Sequence, residues 1–335
     1  MFKSKNILVT GGCGFIGSNF IRYMIKEYDD IYIYNIDKLT YAGSKKNLED
    51  VNQNERYHFF QIDICNYDSL VKIINENNID TVVHFAAESH VDRSIMGAKS
   101  FIETNILGTF YLLEAVKNSW GIDSLSNGKF RFHHISTDEV YGSLHANEKP
   151  FSENNKYFPN SPYSASKASS DHLVRAWSET YNIPVTISNC SNNYGRYQHK
   201  EKLIPVVINA CKYKKEIPIY GTGLNIRDWL HVKDHCRAID RILKDGNVNE
   251  IYNIGGDCEK TNIEVVNLIC SHFDITLPQK GKYSDLITFV EDRKGHDFRY
   301  SIDSTKIMSN LQWSPQINFD DGIKDTIDWY LRNSN

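Results

Sequence analysis

A glycine-rich stretch near the start of the chain constrains the fold more than any other feature. Residues 6–19 read NILVTGGCGFIGSN: an apolar run is followed by Gly11, Gly14 and Gly17 at three-residue spacing, then by a helical apolar pattern. A strand, a tight turn and a helix place free backbone N–H groups and the positive end of a helix dipole at one point. Gly11 would make the turn, Gly14 would let the backbone approach a pyrophosphate, and Gly17 would let helix and strand pack closely. The stretch therefore predicts a dinucleotide-binding βα unit.

The composition permits a large folded protein and narrows its partners. Of the 335 residues, 41% are hydrophobic, and the formal net charge is −4. These values allow a full core and make nucleic acid and acidic membranes poor partners. The seven cysteines are dispersed without a C-x-x-C pair, so we expect reduced thiols, no disulfide framework and no metal site. With no room for a signal peptide and no apolar run of about 18 residues, we expect a cytoplasmic protein that does not enter a membrane.

Short apolar runs alternate with helical patterns through the first half of the chain. After the first strand, the predicted strands are residues 31–36, 57–62, 79–85, 129–135 and 185–188. The predicted helices are residues 18–28, 67–77, 98–119 and 163–181. This alternation predicts an α/β fold with a doubly wound parallel sheet of the Rossmann type, because right-handed crossovers place helices on both faces.

The rhythm of the sequence changes after about residue 190. Gly, Pro, Asn and Tyr become frequent and the predicted elements become shorter. We therefore expect a dinucleotide-binding domain over residues 1–190 and a smaller mixed α/β substrate-binding lobe over residues 191–335. Within the second part, residues 231–258 contain a helical pattern and an apolar strand, and we expect them to return to the main sheet.

Side chains at the predicted strand ends carry functional weight, because ligands of such sheets bind outside the carboxyl ends of the strands. Asp37 ends the second strand, where a carboxylate can accept hydrogen bonds from both adenosine ribose hydroxyls and repel a 2′-phosphate. This favours NAD over NADP, although the adjacent Lys38 could instead pair with a phosphate. Asp63 at the third strand end would lie near the adenine amine. Ala86 and Ala87 at the fourth are small, as a backbone close to a dinucleotide requires.

Tyr163 and Lys167 are the predicted proton-transfer pair. Their spacing of four places both on one face of the helix that begins there. A nearby ammonium would lower the pKa of the phenol and make it a usable base near neutral pH, and the same ammonium could hold the nicotinamide ribose. The Tyr-x-x-x-Lys pattern occurs twice more near residue 40. There it neither opens a helix nor follows a strand that ends in a hydroxyl such as Thr137.

Two adjacent carboxylates, Asp138 and Glu139, follow the fifth strand directly. The hydroxyl of Thr137 is enough to polarise a substrate oxygen in an oxidation, so the carboxylates exceed what oxidation alone requires. Paired carboxylates in a closed site indicate an acid and a base that act on neighbouring carbons.

In combination, these motifs resemble the extended short-chain dehydrogenase/reductase family. The glycine turn, the Tyr163/Lys167 pair and the strand order carry that resemblance. Within it, further stretches resemble the dTDP-glucose 4,6-dehydratases, and together they cover nearly the whole chain. These stretches are AAESHVDRS (86–94), TDE (137–139), NCSNNYG (189–195), KLIP (202–205), PIYG (218–221), IRDW (226–229) and DR (292–293).

The resemblance implies a three-step cycle on tightly held NAD. Tyr163 would take the proton from the sugar 4-hydroxyl while a hydride leaves C4 for the nicotinamide. The 4-keto group acidifies the C5 proton, which Glu139 would remove while Asp138 protonates the departing C6 hydroxyl. The hydride would then return to C6, giving dTDP-4-dehydro-6-deoxy-D-glucose and water from dTDP-glucose. One carboxyl must be protonated while its neighbour is ionised, and the neighbouring negative charge helps by raising the pKa of the acid.

The same resemblance assigns binding residues position by position. The catalytic residues would be Thr137, Asp138, Glu139, Tyr163 and Lys167. The NAD contacts would be Gly11, Gly14, Phe15, Ile16, Gly17, Asp37, Lys38, Leu39, Thr40, Asp63, Ile64, Ala86, Ala87, Ser89, Thr104, Tyr163, Lys167 and Asn193. The nucleotide-sugar contacts would be Ser89, Thr137, Asn192, Lys202, Leu203, Pro218, Ile219, Tyr220, Arg227, Asn262, Arg293 and His296.

The resemblance also implies a homodimer, with the helices of residues 98–119 and 163–181 forming a four-helix bundle. The chain departs from the family at Arg196, Lys200 and Lys294, where proline is usual. The loss of these prolines bears on loop rigidity and affinity rather than on the chemistry.

Several alternatives stay open at this point. They are a dehydratase of another nucleotide sugar, a 4-epimerase of the same fold, and a non-catalytic NAD-sensing protein. An epimerase needs no carboxylate pair after Thr137, and sensing proteins tend to lose the Tyr/Lys pair. The nucleobase, and whether the product serves an O-antigen rhamnose route or another deoxysugar, also stay open.

Overall fold

The computed structural model describes residues 3–121, 125 and 128–333, and its centre is a seven-stranded sheet. The strands are β1 (Asn6–Thr10), β2 (Tyr32–Ile36), β3 (Tyr57–Phe60), β4 (Thr81–His84), β5 (Arg131–Thr137), β6 (Val185–Cys190), β7 (Asn192–Tyr194), β8 (Ile217–Tyr220), β9 (Ile226–His231), β10 (Ile251–Ile254), β11 (Glu259–Thr261) and β12 (Ile287–Val290). The helices are α1 (Phe15–Glu27), α2 (Tyr67–Glu76), α3 (Val91–Met96), α4 (Lys99–Phe101), α5 (Thr109–Trp120), α6 (Pro162–Tyr181), α7 (Leu203–Tyr213), α8 (Val232–Asp245), α9 (Asn262–Thr276), α10 (Thr305–Leu311) and α11 (Phe319–Asn333).

The large sheet confirms the predicted fold class. Its strand order is β10-β6-β5-β4-β1-β2-β3, and every pairing in it is parallel. The chain runs outward from β1 to β3 on one side and from β4 to β10 on the other. The order therefore reverses between β1 and β4, which opens a crevice at the carboxyl ends of these strands.

Helices cover both faces of this sheet. Leu8 of β1 packs with residues of α2, α5 and α6 on one face, while Ile7 and Val9 pack with residues of α1 and α8 on the other. All three side chains are fully buried. Burial of such a side chain contributes about 1.5–3 kcal/mol to the stability of the fold. A strand with two apolar faces is therefore stabilised between two layers of helices. No helix in the described part of the chain is long and apolar enough to cross a bilayer.

A second, smaller lobe lies over the strand ends. It contains a three-stranded sheet of order β11-β9-β7 and a parallel pair of β12 with β8. Residues of α7, α9 and α11 pack with Trp229 of β9 to form its core. Because β7 begins two residues after β6 ends, this lobe is attached directly to the carboxyl edge of the main sheet. Later in the chain, β10 returns to the main sheet beside β6, and α8 packs against α1.

The predicted helix over residues 98–119 is confirmed, with one irregularity that the pattern did not predict. A π-helical turn, Ile102–Gly108, separates α4 from α5. Within it the Asn105 amide accepts from the backbone N–H of Glu88 at 2.8 Å and donates to its carbonyl at 3.0 Å. It also donates to the Ser166 hydroxyl at 2.8 Å. Such turns often occur at functional sites, and here the turn ties the loop after β4 to α6 and places Thr104 in the cleft.

The N-terminus of α6 provides a test of local stability. The Ser161 hydroxyl accepts from the backbone N–H of Ser164 at 3.0 Å, and the Ser164 hydroxyl accepts from the backbone N–H of Ser161 at 3.0 Å. Loss of a capping hydroxyl costs about 1 kcal/mol. We therefore expect Ser161→Ala to accelerate amide hydrogen exchange in the first turn of α6 about fivefold.

The matched control is Ser169→Ala, which removes an exposed hydroxyl that donates to the Ala165 carbonyl within the same helix. It should leave exchange in that turn unchanged. Equal exchange in the two variants would contradict the role of the cap.

Candidate active site

The glycine turn after β1 leaves a concave surface that side chains at the glycine positions would fill. Gly11 has a φ of +70°, and a Cβ there would lie 2.7 Å from the backbone of Ala86. A Cβ at Gly17 would lie 2.6 Å from the Gly11 carbonyl oxygen. Gly14 precedes α1, and its N–H donates to the Gly11 carbonyl at 3.1 Å. The first N–H groups of α1 have no acceptor within the helix, so the residues present fit a pyrophosphate at this point.

The carboxylate at the end of β2 is held in place by backbone donors. Asp37 accepts from the N–H of Cys13 at 2.9 Å and from the N–H of Leu39 at 2.8 Å. Burial raises the pKa of Asp37, and these two donors oppose the shift. The neighbouring Lys38 forms an ion pair with Asp63 at 2.7 Å. The ammonium is thus paired within the protein, which favours the interpretation of Asp37 as a ribose-binding group.

One cleft brings the glycine turn, the β2 carboxylate and the catalytic candidates together. Its volume is about 290 Å³. All five catalytic candidates line it, and so do all the predicted cofactor residues except Leu39, which packs in the core beside the glycine turn. Of the predicted substrate residues, four line this cleft. These are Ser89, Thr137, Asn192 and Lys202.

Asp138 lies in a protected position at the end of β5. A 3-10 turn, Asp138–Tyr141, begins there, and the residue is 2% exposed. Its Oδ1 accepts from the Thr137 hydroxyl at 3.3 Å, whereas its Oδ2 has no hydrogen-bond partner among the described residues. Burial raises the pKa of Asp138 well above its ordinary value, and the charges of Glu139 and Asp228 add to this. This shift favours the protonated form of Asp138, which an acid that lines the cleft requires.

Glu139 lies in a different electrostatic environment from its neighbour. Burial raises its pKa, but Arg293, Lys202 and Arg227 oppose the shift. Arg227 itself is held by the carbonyl oxygens of Ile226 at 2.7 Å and of two later residues. The three cations oppose protonation of Glu139, whereas neighbouring carboxylates add to the rise in the pKa of Asp138, so the surroundings distinguish the two adjacent carboxyls.

Tyr163 and Lys167 share one face of α6, and both line the cleft. The prediction that the Lys167 ammonium lowers the pKa of the Tyr163 phenol is wrong. Burial raises the pKa of Tyr163 well above its ordinary value, and the charge of Glu139 adds to this. A hydrogen bond with Thr137 opposes the shift, whereas Lys167 does not contribute. The ammonium of Lys167 instead donates to the Ile135 carbonyl at 2.8 Å. The spacing of four fixed the shared face, but it could not fix where the long lysine side chain would find its partner.

The remaining predicted substrate residues lie on the second lobe, outside the cleft lining. Arg293 lies 3.8 Å from Asp92, the Tyr220 hydroxyl lies 3.5 Å from the same carboxylate, and His296 packs edge-on against the Tyr220 ring. These groups form a polar shelf beside Glu139. Ile219 is buried in the core of the lobe, where Leu203 also packs, so a ligand would meet the backbone of Ile219. Pro218 is exposed, and Asn262 begins α9.

Sequence reasoning missed Tyr300, which lies beside Glu139. Its hydroxyl donates to the Asp297 carboxylate and lies 3.5 Å from Glu139 Oε2. The guanidinium of Arg227 stacks 4.4 Å from the centre of its ring. No strand end or turn motif precedes Tyr300, so a single sequence carries no signal that brings it to Glu139.

Sequence reasoning also missed an ion-pair latch, which we define as Arg93, Glu201, Tyr41 and His199. Arg93 donates to both Glu201 oxygens, at 3.1 and 2.6 Å, and stacks 3.9 Å from the centre of the Tyr41 ring. His199 packs edge-on against Tyr41. The latch joins residues near β2 and β4 to the segment before α7, and thus links the main sheet to the second lobe at the cleft.

Arg196, where the resemblance leads us to expect proline, has its own anchor. Its guanidinium makes a bidentate ion pair with Asp325 of α11, and its carbonyl accepts from the Asn19 amide at 3.0 Å. This loop is therefore anchored at Arg196 to both α1 and α11. Lys200 and Lys294 are exposed.

Known proteins resemble this chain over nearly its whole length. A family model described as GDP-mannose 4,6 dehydratase matches residues 8–326. A dTDP-glucose 4,6-dehydratase of Haemophilus influenzae is 54% identical over 334 residues, which is 98% of each chain. A crystal structure of the dTDP-glucose 4,6-dehydratase of Bacillus anthracis in complex with NAD is 43% identical with a TM-score of 0.87. A structure of the Streptomyces venezuelae enzyme with NAD and dTDP bound is 43% identical with a TM-score of 0.89. Each comparison covers 98% of this chain and 97% of the solved one.

The latch provides a test of how the lobes are joined. Arg93→Leu would remove both hydrogen bonds to Glu201 and the contact with Tyr41, so we expect several-fold faster amide hydrogen exchange in residues 196–203. The control is Arg332→Leu, which breaks an exposed ion pair with Asp328 on α11. Unchanged exchange in the Arg93 variant would show that the loop is held without the latch.

Proposed function

Because this chain belongs to the dTDP-glucose 4,6-dehydratase family, we propose how its own residues carry out that reaction. The enzyme is a lyase that converts dTDP-glucose to dTDP-4-dehydro-6-deoxy-D-glucose and water, and its cofactor is NAD. Bound NAD accepts the hydride from C4 and returns it to C6, and the positive charge of its nicotinamide ring favours the phenolate of Tyr163. The observation that carries the proposal is the placement of Asp138 and Glu139 in the cleft that contains the glycine turn.

The cofactor half of the cleft holds the dinucleotide through backbone and carboxylate groups. The first turn of α1 would bind the pyrophosphate, and Asp37 would accept hydrogen bonds from the adenosine ribose. The Lys38–Asp63 ion pair would border the adenine. Lys167 would donate to the nicotinamide ribose, and Asn193 would line the far wall.

In the first step, Tyr163 would take the proton of the sugar 4-hydroxyl. Its hydroxyl already hydrogen-bonds with Thr137, which would also bind the substrate oxygen. Because burial raises the pKa of Tyr163, the phenol is a weak donor of its own proton until positive charge lies beside it. This step therefore requires the cofactor to be bound in the cleft. Before the cofactor binds, Tyr163 stays protonated and cannot act as a base.

In the second step, the two carboxyls would act on neighbouring carbons of the 4-keto sugar. Glu139 would take the C5 proton, since Arg293, Lys202 and Arg227 favour its ionised form. Asp138 would give its proton to the C6 oxygen, and the C6–O bond would break with release of water. The free Oδ2 of Asp138 is the atom available for this transfer. Return of the hydride to C6 and a proton to C5 would complete the cycle.

The polar shelf on the second lobe would bind the nucleotide part of the substrate. Arg227 and Arg293 present forked donors that match phosphate oxygens, and Lys202 adds a third positive charge. Tyr220, which is 44% exposed, offers a ring against which the base could pack. A 4-epimerase would use the same cofactor half, but it has no use for a buried acid beside a base, so the carboxyl pair favours dehydration.

The same proposal covers the domain bounds, the cellular compartment and the oligomeric state. We assign residues 1–190 and 231–258 to the NAD-binding domain and the rest of residues 191–335 to the nucleotide-sugar lobe. The seven cysteines are all free thiols, which suits a reducing compartment such as the cytoplasm. We also infer a homodimer through α5 and α6, since Ile102 and Leu107 beside α5 are each 44% exposed.

The carboxyl pair provides the sharpest test of the mechanism. Glu139→Gln should still oxidise C4 but lose elimination by about 10²- to 10⁴-fold, the usual contribution of a general base. Chemical quench followed by mass spectrometry should find a 4-keto sugar that retains its C6 hydroxyl. With substrate deuterated at C4, the unmodified enzyme should deliver the label to C6 of the same molecule.

The matched variant is Asp138→Asn, which removes the acid and leaves the base. It should exchange the C5 proton with solvent while elimination stays slow, whereas Glu139→Gln should lose that exchange. Full product formation by Glu139→Gln at the normal rate would overturn the assignment of the base.

The proposed dimer is tested by charge on its apolar face. Ile102→Glu combined with Leu107→Glu should give a monomer by light scattering after gel filtration, because the charges would oppose burial of this face. Ile275→Glu is the control, since Ile275 is 81% exposed on the second lobe and should leave the mass unchanged. A monomeric parent protein would refute the dimer directly.

A further inference from the structure

The ammonium of Lys167 is buried beneath the cleft together with a carboxylate that the mechanism does not use. Lys167 is 4% exposed and Asp171 is 2% exposed, and one helical turn of α6 separates them. Lys167 donates to the Ile135 carbonyl at 2.8 Å. A buried ammonium that lacks an opposite charge loses its proton readily, so the partner of Lys167 decides whether it stays charged.

A histidine of β5 lies close to both groups. His134 is fully buried, and its Nε2 lies 3.5 Å from Lys167 Nζ and 3.1 Å from Asp171 Oδ1. Burial lowers the pKa of His134 well below its ordinary value, and Lys167 adds to this, so the imidazole is neutral. A neutral imidazole does not compete with Lys167 for the role of cation.

Asp171 is fixed from its other side by neutral donors. Its Oδ2 accepts from the Ser136 hydroxyl at 2.8 Å, and the Tyr157 hydroxyl also hydrogen-bonds to it. Burial raises the pKa of Asp171 to about 6, against the opposing effect of Lys167. Burial lowers the pKa of Lys167, and Asp171 contributes most to opposing that shift. At neutral pH the carboxylate is therefore ionised and stabilises the ammonium.

We propose that Asp171 is a positioning residue that serves as counter-ion to Lys167 and keeps it charged beside the nicotinamide ribose. The inference rests on the proposed function of Lys167, but it concerns a residue that touches neither cofactor nor substrate. Without this carboxylate, the Lys167 ammonium would stay buried but would have no full opposite charge beside it. Lys167 would therefore lose its proton at a lower pH. The consequence is a loss of cofactor retention and turnover as the pH rises.

The effect is specific because the other titratable neighbours do not supply the same charge. Other titratable or charged groups face Lys167 and Asp171 from every element packed against them. They are His84 of β4, His134 of β5, Tyr141 of the 3-10 turn after β5, Tyr157 of the loop before α6, His172 of α6 and Cys190 of β6. Burial raises the pKa of Cys190 to about 12, so its thiol stays neutral near physiological pH. Asp171 is thus the anion that faces Lys167 in the described part of the chain.

The test compares Asp171→Asn with the unmodified holoenzyme over pH 6 to 9. The variant should retain NAD through gel filtration at pH 6 and lose it progressively as the pH rises. The alkaline limb of kcat/KM for dTDP-glucose should move down by about 1–3 pH units, the usual effect of removing a close opposite charge. NAD retention involves no chemistry, so it reports on Lys167 independently of Asp138.

Tyr157→Phe is the matched control, since it removes a neutral donor to Asp171 and leaves the carboxylate. Its alkaline limb should stay in place. If Asp171→Asn does not fold, Asp171→Ser with added formate tests the same point: formate should restore NAD retention at high pH, and chloride should not. Identical pH profiles for Asp171→Asn and the unmodified enzyme, or no rescue by formate, would overturn the proposal. An unmodified enzyme that fails to convert dTDP-glucose would instead overturn the proposed function.

Discussion

Burial of charged side chains at the carboxyl edge of the central sheet is the constraint on which the site depends. Parallel strands all end at this edge, so Asp37, Thr137 and the residues after them converge there whatever their separation in sequence. The second lobe then covers the edge and reduces its exposure to water. In that environment a carboxyl or ammonium group keeps its charge only where another group supports it.

This constraint explains why two adjacent carboxyls can hold opposite roles. Asp138 and Glu139 differ little in intrinsic acidity, and consecutive residues leave the same strand end. What separates them is the set of charges around each side chain. The charges of Glu139 and Asp228 add to the rise in the pKa of Asp138, and its Oδ2 has no hydrogen-bond partner among the described residues, whereas three cations oppose the rise in the pKa of Glu139. The assignment of acid and base is thus a property of the surroundings, part of which the second lobe contributes.

The sequence predicted the parts of the site that local pattern controls. The glycine turn, Asp37 and the pair after Thr137 all lie at strand ends, where alternation of strands and helices is enough to place them. Prediction failed where a contact depends on the path of a distant loop, as for Tyr300 and Glu201, or on the reach of a flexible side chain, as for Lys167. The apolar pattern predicted the helix over residues 98–119 but not its π-helical turn, in which Asn105 binds the backbone after β4.

The two halves of the cleft are consequently built in different ways. The cofactor half is made of backbone in regular elements, where a Cβ at Gly11 or Gly17 would collide with neighbouring backbone, so it tolerates little movement. The substrate half is made of loops joined by polar contacts such as the ion pair of Arg93 with Glu201 and that of Arg196 with Asp325. Ion pairs of this kind hold a loop without fixing its backbone dihedral angles as proline does. The ion pair of Arg196 can therefore anchor the loop where the resemblance leads us to expect proline, at a distance from the reacting groups at the edge of the sheet.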